Sequence, residues 1–388
     1  MASTTTTKTY RGRTLTGQAV AVTVTGERIE SVKPAAGGGD TLPLIAPPLV
    51  DLQQNGALGF GNNRLHENPQ ALYQVAAFLR KHGVGRVLFT TSTYDYDLLL
   101  KSLAEFNRQL EADQDLERLW FGAFSEGIYI SREYGWRGGH NPQFMRNPAW
   151  DEWARLQEAA GGRFWVFNVD PELPGAIETI RRAVKEHLRI AMGHCGPAAE
   201  AIRAAADAGA TLVTHFGNGA PPQVHRHRNP FWTWLAESRL ALGLIADGHH
   251  LPGDVILAAI AAKGREKVYL VSDASGHSGR PVGDYGTFVI EPGGKCRLKN
   301  EEMLAGAWYQ ADRNVERMCE LGWSLADAWR QQSIIPASII GLELPRLAAG
   351  QEAEFVLARY DGKQLKLEQV VDRGKELLVE PVTPRTVE

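Results

Sequence analysis

The sequence predicts an α/β fold: a closed, TIM-like (β/α)8 barrel with a small β-sandwich built from the N- and C-terminal segments. Three observations predict it. Eight short apolar runs alternate with amphipathic helical stretches from Leu42 onward. Polar residues able to do chemistry follow several different runs, as at the mouth of a barrel, whereas an open sheet would gather them at one crossover. The two ends of the chain carry strand patterning of their own. The expected division is 1–48 and 346–388 for the sandwich, and 49–345 for the barrel.

Taken in order, "AVAVTVTGERIESVK" alternates apolar and polar residues about Gly26 and reads as a β-hairpin. "AAGGGD" then breaks the chain. The barrel strands are expected in "PLVDLQ", "RVLFTTS", "LWFGAFSE", "FWVFNVD", "RIAMGH", "TLVTHF", "LGLIADG" and "KVYLVSD". "NPQALYQVAAFLRKHG" and "DLLLKSLAEFNRQLEAD" supply helices after the first two. "PGAIETIRRAVKEH", "PAAEAIRAAADAG" and "PGDVILAAIAAKG" supply later ones. Each of these three opens on a proline and two close on a glycine, which suits helix boundaries. Helical pattern continues through "NVERMCELG" and "LADAWRQQSIIPASIIG", and the tail from 352 returns to strand pattern.

Composition narrows the class. A net charge of −3 gives no global field for holding nucleic acid or an anionic membrane. The three cysteines, Cys195, Cys296 and Cys319, are too scattered for a disulfide framework or a C-x-x-C zinc site. The polar N-terminus lacks the apolar core of a signal peptide, and no apolar run would cross a bilayer. The expectation is a soluble, cytoplasmic protein.

Four strand ends carry the candidate chemistry. Glu126 follows the third run in "FSEG", and His194 the fifth in "MGHCG". His215 follows the sixth in "VTHFGNG", and Asp273 the eighth in "LVSDAS". One carboxylate and two imidazoles suit zinc with a position left open for water. Ferrous iron accepts the same set. Asp273, near such an ion, fits a general base that later returns its proton to a leaving amine. Alone, each has an ordinary structural reading: a hydrogen-bonded histidine, a helix-capping carboxylate. A single barrel face collecting all four is what makes the pattern specific. A second group offers substrate contacts: His140 in "WRGGHNP"; Asn218, His225, Arg226, His227 and Arg228 in "FGNGAPPQVHRHRNP"; and His249 and His250 in "IADGHH". Such arginines hold a phosphate or carboxylate, or form a solvated basic loop. Trp136, Trp150, Trp153 and Trp232 read as core or subunit contacts.

On these motifs the chain resembles the N-acetylglucosamine-6-phosphate deacetylase family of the amidohydrolase superfamily, from "APPLVDLQQNG" to "RLAAGQEAEFVL". "VDLQQNG" is similar to the family's Asp-x-Gln-x-Asn-Gly. "SEG" with "RGGHNP" is similar to its Glu-Gly and Gly-x-His-Asn-Pro segments. "GHCGPAAEAIRAAADAGATLVTHFGNGAPP", "LGLIADGHH", "VYLVSDA" and "LAGA" follow in the family's order. The resemblance implies deacetylation of an N-acetylated amino sugar, N-acetylglucosamine 6-phosphate first, to the free amine and acetate. It implies one divalent metal on Glu126, His194 and His215, with Asp273 as base then acid and His140 polarising the amide carbonyl. It implies that Asn218, the backbone near Gly219, His250, Ala307 and an arginine hold the sugar phosphate, and that a homodimer completes the site. Arg228 matches by its Asn-Pro, and Arg226 by its distance from Asn218. The departures lie in loops: Phe124 and Ile128 replace the family's His and Pro around Ser125–Gly127, and Asn-Ala-Met becomes Asn-Gly-Ala. They leave open a different N-acyl or cyclic amide substrate, or a non-catalytic sugar-binding homologue. Gln53 and Asn55 stand where many barrel hydrolases have paired histidines. They are expected to line the mouth, bonded to Asp273 or substrate, in a site for one metal rather than two.

Overall fold

The computed structural model describes residues 6–36, 41–377 and 379. Most of the "STTTT" run, the "GGGD" of the break and the last nine residues lie outside them.

Eight parallel strands form a nearly closed barrel, each hydrogen-bonded to the next in chain order. They are Leu49–Gln54, Val84–Thr91, Trp120–Ser125, Phe164–Asn168, Arg189–Met192, Ala210–Val213, Ala241–Leu244 and Val268–Leu270. These strands are covered on both faces, which is why they read as continuous apolar runs. The ladder does not join the first strand to the eighth. The seam closes just beyond the strands, where Asp273 N–H donates to the Gln53 carbonyl at 3.0 Å and Ser272 N–H to Asp51 Oδ1 at 3.0 Å. Burial pushes the Asp51 carboxyl up to about 6, against the pull of its bonds from Ser272 and Gln53.

The barrel interior is filled by side chains such as Val50, Leu88, Phe124, Val166, Leu212 and Tyr269. Ile335, Ala337 and Ile340 belong to the same cluster. The helix Ile334–Ile340 that carries them plugs the N-terminal end, with Ser333 Oγ donating to the Pro48 carbonyl at 2.6 Å. "LADAWRQQSIIPASIIG" is therefore two helices, Leu325–Gln332 and Ile334–Ile340, broken at Ser333, whose backbone leaves helical torsions (φ −125°, ψ −70°). The C-terminal ends of the strands remain as the open mouth.

The expected helices form around the barrel, and two ends show the local logic. Asp95 caps Tyr96–Ala112 by accepting from Leu98 N–H, and Gly209 ends Ala199–Ala208 in a left-handed conformation. Three short helices add to the expected set, Gln114–Leu119, Trp150–Ala159 and Pro230–Ala236. A three-stranded antiparallel sheet also appears after the eighth strand, Gly283–Asp284, Phe288–Ile290 and Cys296–Leu298. It lies at the mouth: the Gly293 carbonyl accepts from His249 Nε2 at 2.8 Å, and Leu298 faces Gly139.

The terminal segments make one mixed seven-stranded sheet, with chain-start strands Thr7–Arg13, Ala19–Thr25, Arg28–Pro34 and Leu44–Ala46 beside chain-end strands Phe355–Tyr360, Leu365–Asp372 and Lys375–Leu377. It folds back on itself. Strands far apart in the ladder touch, as where Tyr10 donates to Glu376 at 2.9 Å and the Tyr10 and Phe355 rings meet at 5.1 Å. The three cysteines are free and buried, and among the described residues no helix is long and apolar enough to cross a membrane.

Candidate active site

The structure brings Glu126, His194, His215 and Asp273 to the barrel mouth. Glu126 Oε1 lies 3.1 Å from both His194 Nε2 and His215 Nε2, and the two imidazole nitrogens are 2.9 Å apart. All four residues are under a tenth exposed. Each sits just past its strand, where the chain turns out of the ladder. Three of them turn through left-handed torsions, with φ of 53° at His194, 29° at His215 and 48° at Asp273. Only seven non-glycine residues do so among the described residues. Such conformations cost of order 1–3 kcal/mol each and need enforcing surroundings.

The surroundings are identifiable. Gly138 and Gly219 pack on the His194 ring so closely that a Cβ on either would meet it at 2.9 and 2.6 Å. His194 Nδ1 donates to the Trp136 carbonyl at 3.2 Å, which leaves the Nε2 lone pair facing Glu126 and His215. Behind the turns at Glu126, His194 and His215, Asn168 Nδ2 donates to the carbonyls of Glu126 (2.8 Å) and Gly193 (3.2 Å), and Asn168 Oδ1 accepts from Thr214 Oγ1 (2.8 Å). Asn168 thus straps together three strand ends.

Gln53 and Asn55 face the same centre. Gln53 Nε2 donates to Glu126 Oε1 at 2.8 Å and to Asp273 Oδ1 at 3.0 Å. Asn55 Nδ2 donates to Asp273 Oδ1 at 2.7 Å, while Asn55 Oδ1 is buried with no hydrogen-bond partner among the described residues. His140 arrives on the loop after the third strand. Its Nδ1 lies 2.9 Å from Thr93 Oγ1 and its Nε2 3.2 Å from His194 Nε2.

Electrostatics separates the two carboxylates. Burial pushes Glu126 up, but the adjacent imidazoles of His194 and His215 outweigh it and hold the carboxyl below its usual range. Asp273 is raised well above its usual range by burial and then by the charge of Glu126. His140 is lowered to about 3, by burial first and then by His194. Two groups, Glu126 with His140 and His194, and Glu126 with His215 and Asp273, offer ligand atoms within 4.8 Å of one another. Edges of 2.9, 3.1 and 3.1 Å among Glu126, His194 and His215 suit ligand atoms sharing one ion at bond lengths of about 2.0–2.2 Å. The donor set fits a divalent metal.

The remaining candidates lie around this centre. Asn218 Nδ2 donates to the His215 carbonyl at 3.2 Å, and Ala307 N–H to the Asp273 carbonyl at 2.9 Å. His250 Nδ1 pairs with Asp247 Oδ2 at 2.8 Å. Arg226 and Arg228 stay on an exposed loop; among the described residues no hydrogen bond or ion pair joins either to the cluster of Glu126, His194 and His215, and neither forms an ion pair. Arg228 N–H donates instead to His225 Nδ1, and the Arg226 carbonyl accepts from Trp232, which is 58% exposed. Trp136 and Trp153 are core residues. Sequence reasoning missed Thr93, Asn168 and Thr214. Their one signal was position, since each is a polar residue at a strand end.

No family model matches the chain. It is 30% identical over 320 residues to the N-acetylgalactosamine-6-phosphate deacetylase of Escherichia coli O157:H7, covering 81% of this chain and 83% of that one. It is 26% identical over 326 residues to the N-acetylglucosamine-6-phosphate deacetylase of Bacillus subtilis (strain 168), covering 82% and 81%. Among solved structures, the N-acetyl-D-glucosamine-6-phosphate deacetylase of Mycobacterium smegmatis superposes with a TM-score of 0.83 at 26% identity, covering 96% of this chain and 100% of that one. A mutant of that enzyme in complex with N-acetyl-D-glucosamine-6-phosphate gives 0.82 at 24%, covering 96% and 99%.

Proposed function

Since the chain belongs to the family of N-acetylglucosamine- and N-acetylgalactosamine-6-phosphate deacetylases of the amidohydrolase superfamily, we propose that it hydrolyses the acetamide of an N-acetylhexosamine 6-phosphate, N-acetylglucosamine 6-phosphate first, to the free amine and acetate. The observation that carries this reading is the meeting of Glu126, His194, His215 and Asp273 at one barrel mouth.

Glu126, His194 and His215 hold one divalent ion, which we assign as zinc, with ferrous iron as the alternative. When bound, the ion supplies a Lewis acid that polarises a carbonyl and acidifies water. Asp273 takes the proton of the attacking water. Its Oδ1 is already held by Gln53 and Asn55, so Oδ2 is the oxygen that receives it. Water oxygen bonds to the acyl carbon, and the N–H of His140 stabilises the oxyanion that forms. The carbon–nitrogen bond then breaks, and Asp273 delivers its proton to the leaving nitrogen. Asn55 Oδ1 remains as an acceptor for a substrate N–H or O–H.

We assign the sugar phosphate to Asn218, the backbone at Gly219, His250, Ala307 and Arg228, with Arg226 as the substitute. The arginines stand apart from the ligand cluster within one chain, so their role calls for a homodimer. A cytoplasmic enzyme of amino-sugar metabolism suits this substrate. The galacto epimer is the second reading, favoured by the Escherichia coli relative. The test is acetate release by metal-loaded enzyme from both epimers, with and without the 6-phosphate. Turnover of a phosphorylated sugar is expected, with a large loss of kcat/KM for the unphosphorylated one. Absence of acetate from all of them would sink the reading.

A further inference from the structure

We propose that Thr93 is a positioning residue that fixes the tautomer of His140, making that imidazole a hydrogen-bond donor and keeping it out of the metal's coordination shell. The inference deepens the deacetylase reading above and rests on it for the role of His140.

A backbone N–H can only donate. Thr93 N–H points at His140 Nδ1 at 3.3 Å, so Nδ1 carries the lone pair and Nε2 the proton. Thr93 Oγ1, 2.9 Å from the same nitrogen, can donate to it as well. The neighbouring ring is set the opposite way. A carbonyl can only accept, and His194 Nδ1 faces the Trp136 carbonyl at 3.2 Å, so His194 has its proton on Nδ1 and its lone pair on Nε2. The two Nε2 atoms stand 3.2 Å apart, with ring centroids 4.3 Å apart. Opposite tautomers make that approach a donor–acceptor contact. Identical tautomers would set two protons or two lone pairs against each other.

Proximity alone would group His140 with Glu126 and His194 as ligands. A nitrogen that carries a proton has no lone pair for a metal, so tautomer divides the histidines where distance does not. His194 supplies a ligand atom, and His140 supplies an N–H for a substrate oxygen. Gly127 belongs to the same device. A Cβ there would lie 2.2 Å from Thr93 Oγ1 and 2.6 Å from Thr93 N, so any side chain beside Glu126 would push Thr93 off His140.

The test uses the full-length, zinc-loaded protein with Thr93→Val, Thr93→Ser and His140→Gln. Long-range proton–nitrogen correlation on histidine-labelled protein, with His140 identified by its absence in His140→Gln, reads the tautomer without substrate. The expected pattern is protonation at Nε2 in the wild type. His140→Gln and Thr93→Val should each keep one metal per chain, with affinity within about 3-fold in chelator competition. Thr93→Val should lower kcat about 10-fold, as expected for losing one hydrogen bond of a pair, with KM nearly unchanged, and Thr93→Ser should recover most of it. Protonation at Nδ1, a 10-fold or larger loss of metal affinity in folded His140→Gln, or unchanged kcat in Thr93→Val would each overturn the proposal. If Thr93→Val does not fold, the wild-type tautomer and the metal content of His140→Gln still decide. Failure of the wild type to deacetylate any sugar would refute the substrate reading but leave these two readouts able to judge the tautomer.

Discussion

Gly193→Ala would wedge apart the two strand ends that carry His194 and His215. A Cβ at this position would lie 2.5 Å from Thr214 Cβ, 3.0 Å from Thr214 Oγ1 and 3.1 Å from Asn168 Oδ1. Carbon atoms settle about 3.5–4.0 Å apart, so roughly 1 Å must open between the two turns. Gly193 precedes His194 and Thr214 precedes His215, whose Nε2 atoms are 2.9 Å apart, so the opening is passed to both imidazoles. Metal–ligand distances tolerate only about 0.2 Å. Overpacking of this kind costs about 1–3 kcal/mol of stability, and disturbing what orients a ligand lowers metal affinity about 10–100-fold. The assay is zinc competition against a chromophoric chelator, with thermal unfolding in the presence and absence of metal. Gly283→Ala serves as comparator, because its Cβ would make only ordinary contact with Tyr285 at 3.8 Å. A folded Gly193→Ala protein whose metal affinity stays within 2- or 3-fold of wild type would refute the argument.

Asp273→Asn should keep its metal and lose about 10²–10⁴-fold in turnover; metal analysis beside acetate release checks this, and wild-type turnover would remove Asp273 from the mechanism. Asn168→Ala leaves the carbonyls of Glu126 and Gly193 and the Thr214 hydroxyl without their partner. At about 1–3 kcal/mol per buried group left unmet, metal-free protein should lose at least 3 kcal/mol in urea unfolding. A loss under about 1 kcal/mol would contradict the strap. Burial, and then the charge of Glu172, push Asp170 up to about 6. A carboxyl raised in the folded state loses stability as pH climbs from its unfolded value near 4 through its folded value. The full penalty stands above about pH 6 and is worth about 2–3 kcal/mol. Asp170→Asn should therefore be the more stable protein at pH 7 and no more stable at pH 4; an equal gain at both would contradict the sign.

The barrel was legible because its strands are buried on both faces, so "LVDLQQ" or "RVLFTT" reads as an apolar run whatever its neighbours are. The four central candidates were legible for a related reason: a charged or imidazole side chain directly after such a run has few other places to go. Other parts carried weaker signals. Thr7–Arg13 buries only Tyr10 and Gly12, so it shows no alternation to read. Pro230–Ala236 is two turns long, and the sheet at 283–298 is made of strands of two or three residues. Asn168, Thr93 and Thr214 act by hydrogen bonds to backbone or to another side chain. Their partners are distant in sequence, and a neutral polar residue at a strand end looks like any cap. Arg226 and Arg228 show the opposite case, a conspicuous motif whose loop leads away from the centre in a single chain.

The left-handed turns at His194, His215 and Asp273 bear on how this protein would age if its chemistry were no longer needed. Each torsion suits glycine or asparagine better than the residue present. In a duplicate gene copy relieved of catalysis, drifting to those residues would relieve strain on the order of 1 kcal/mol per position but would strip contacts from the buried Glu126 and Gln53. The three turns and the cluster they carry are therefore coupled, since relieving the torsion at one position costs the contacts of its neighbours.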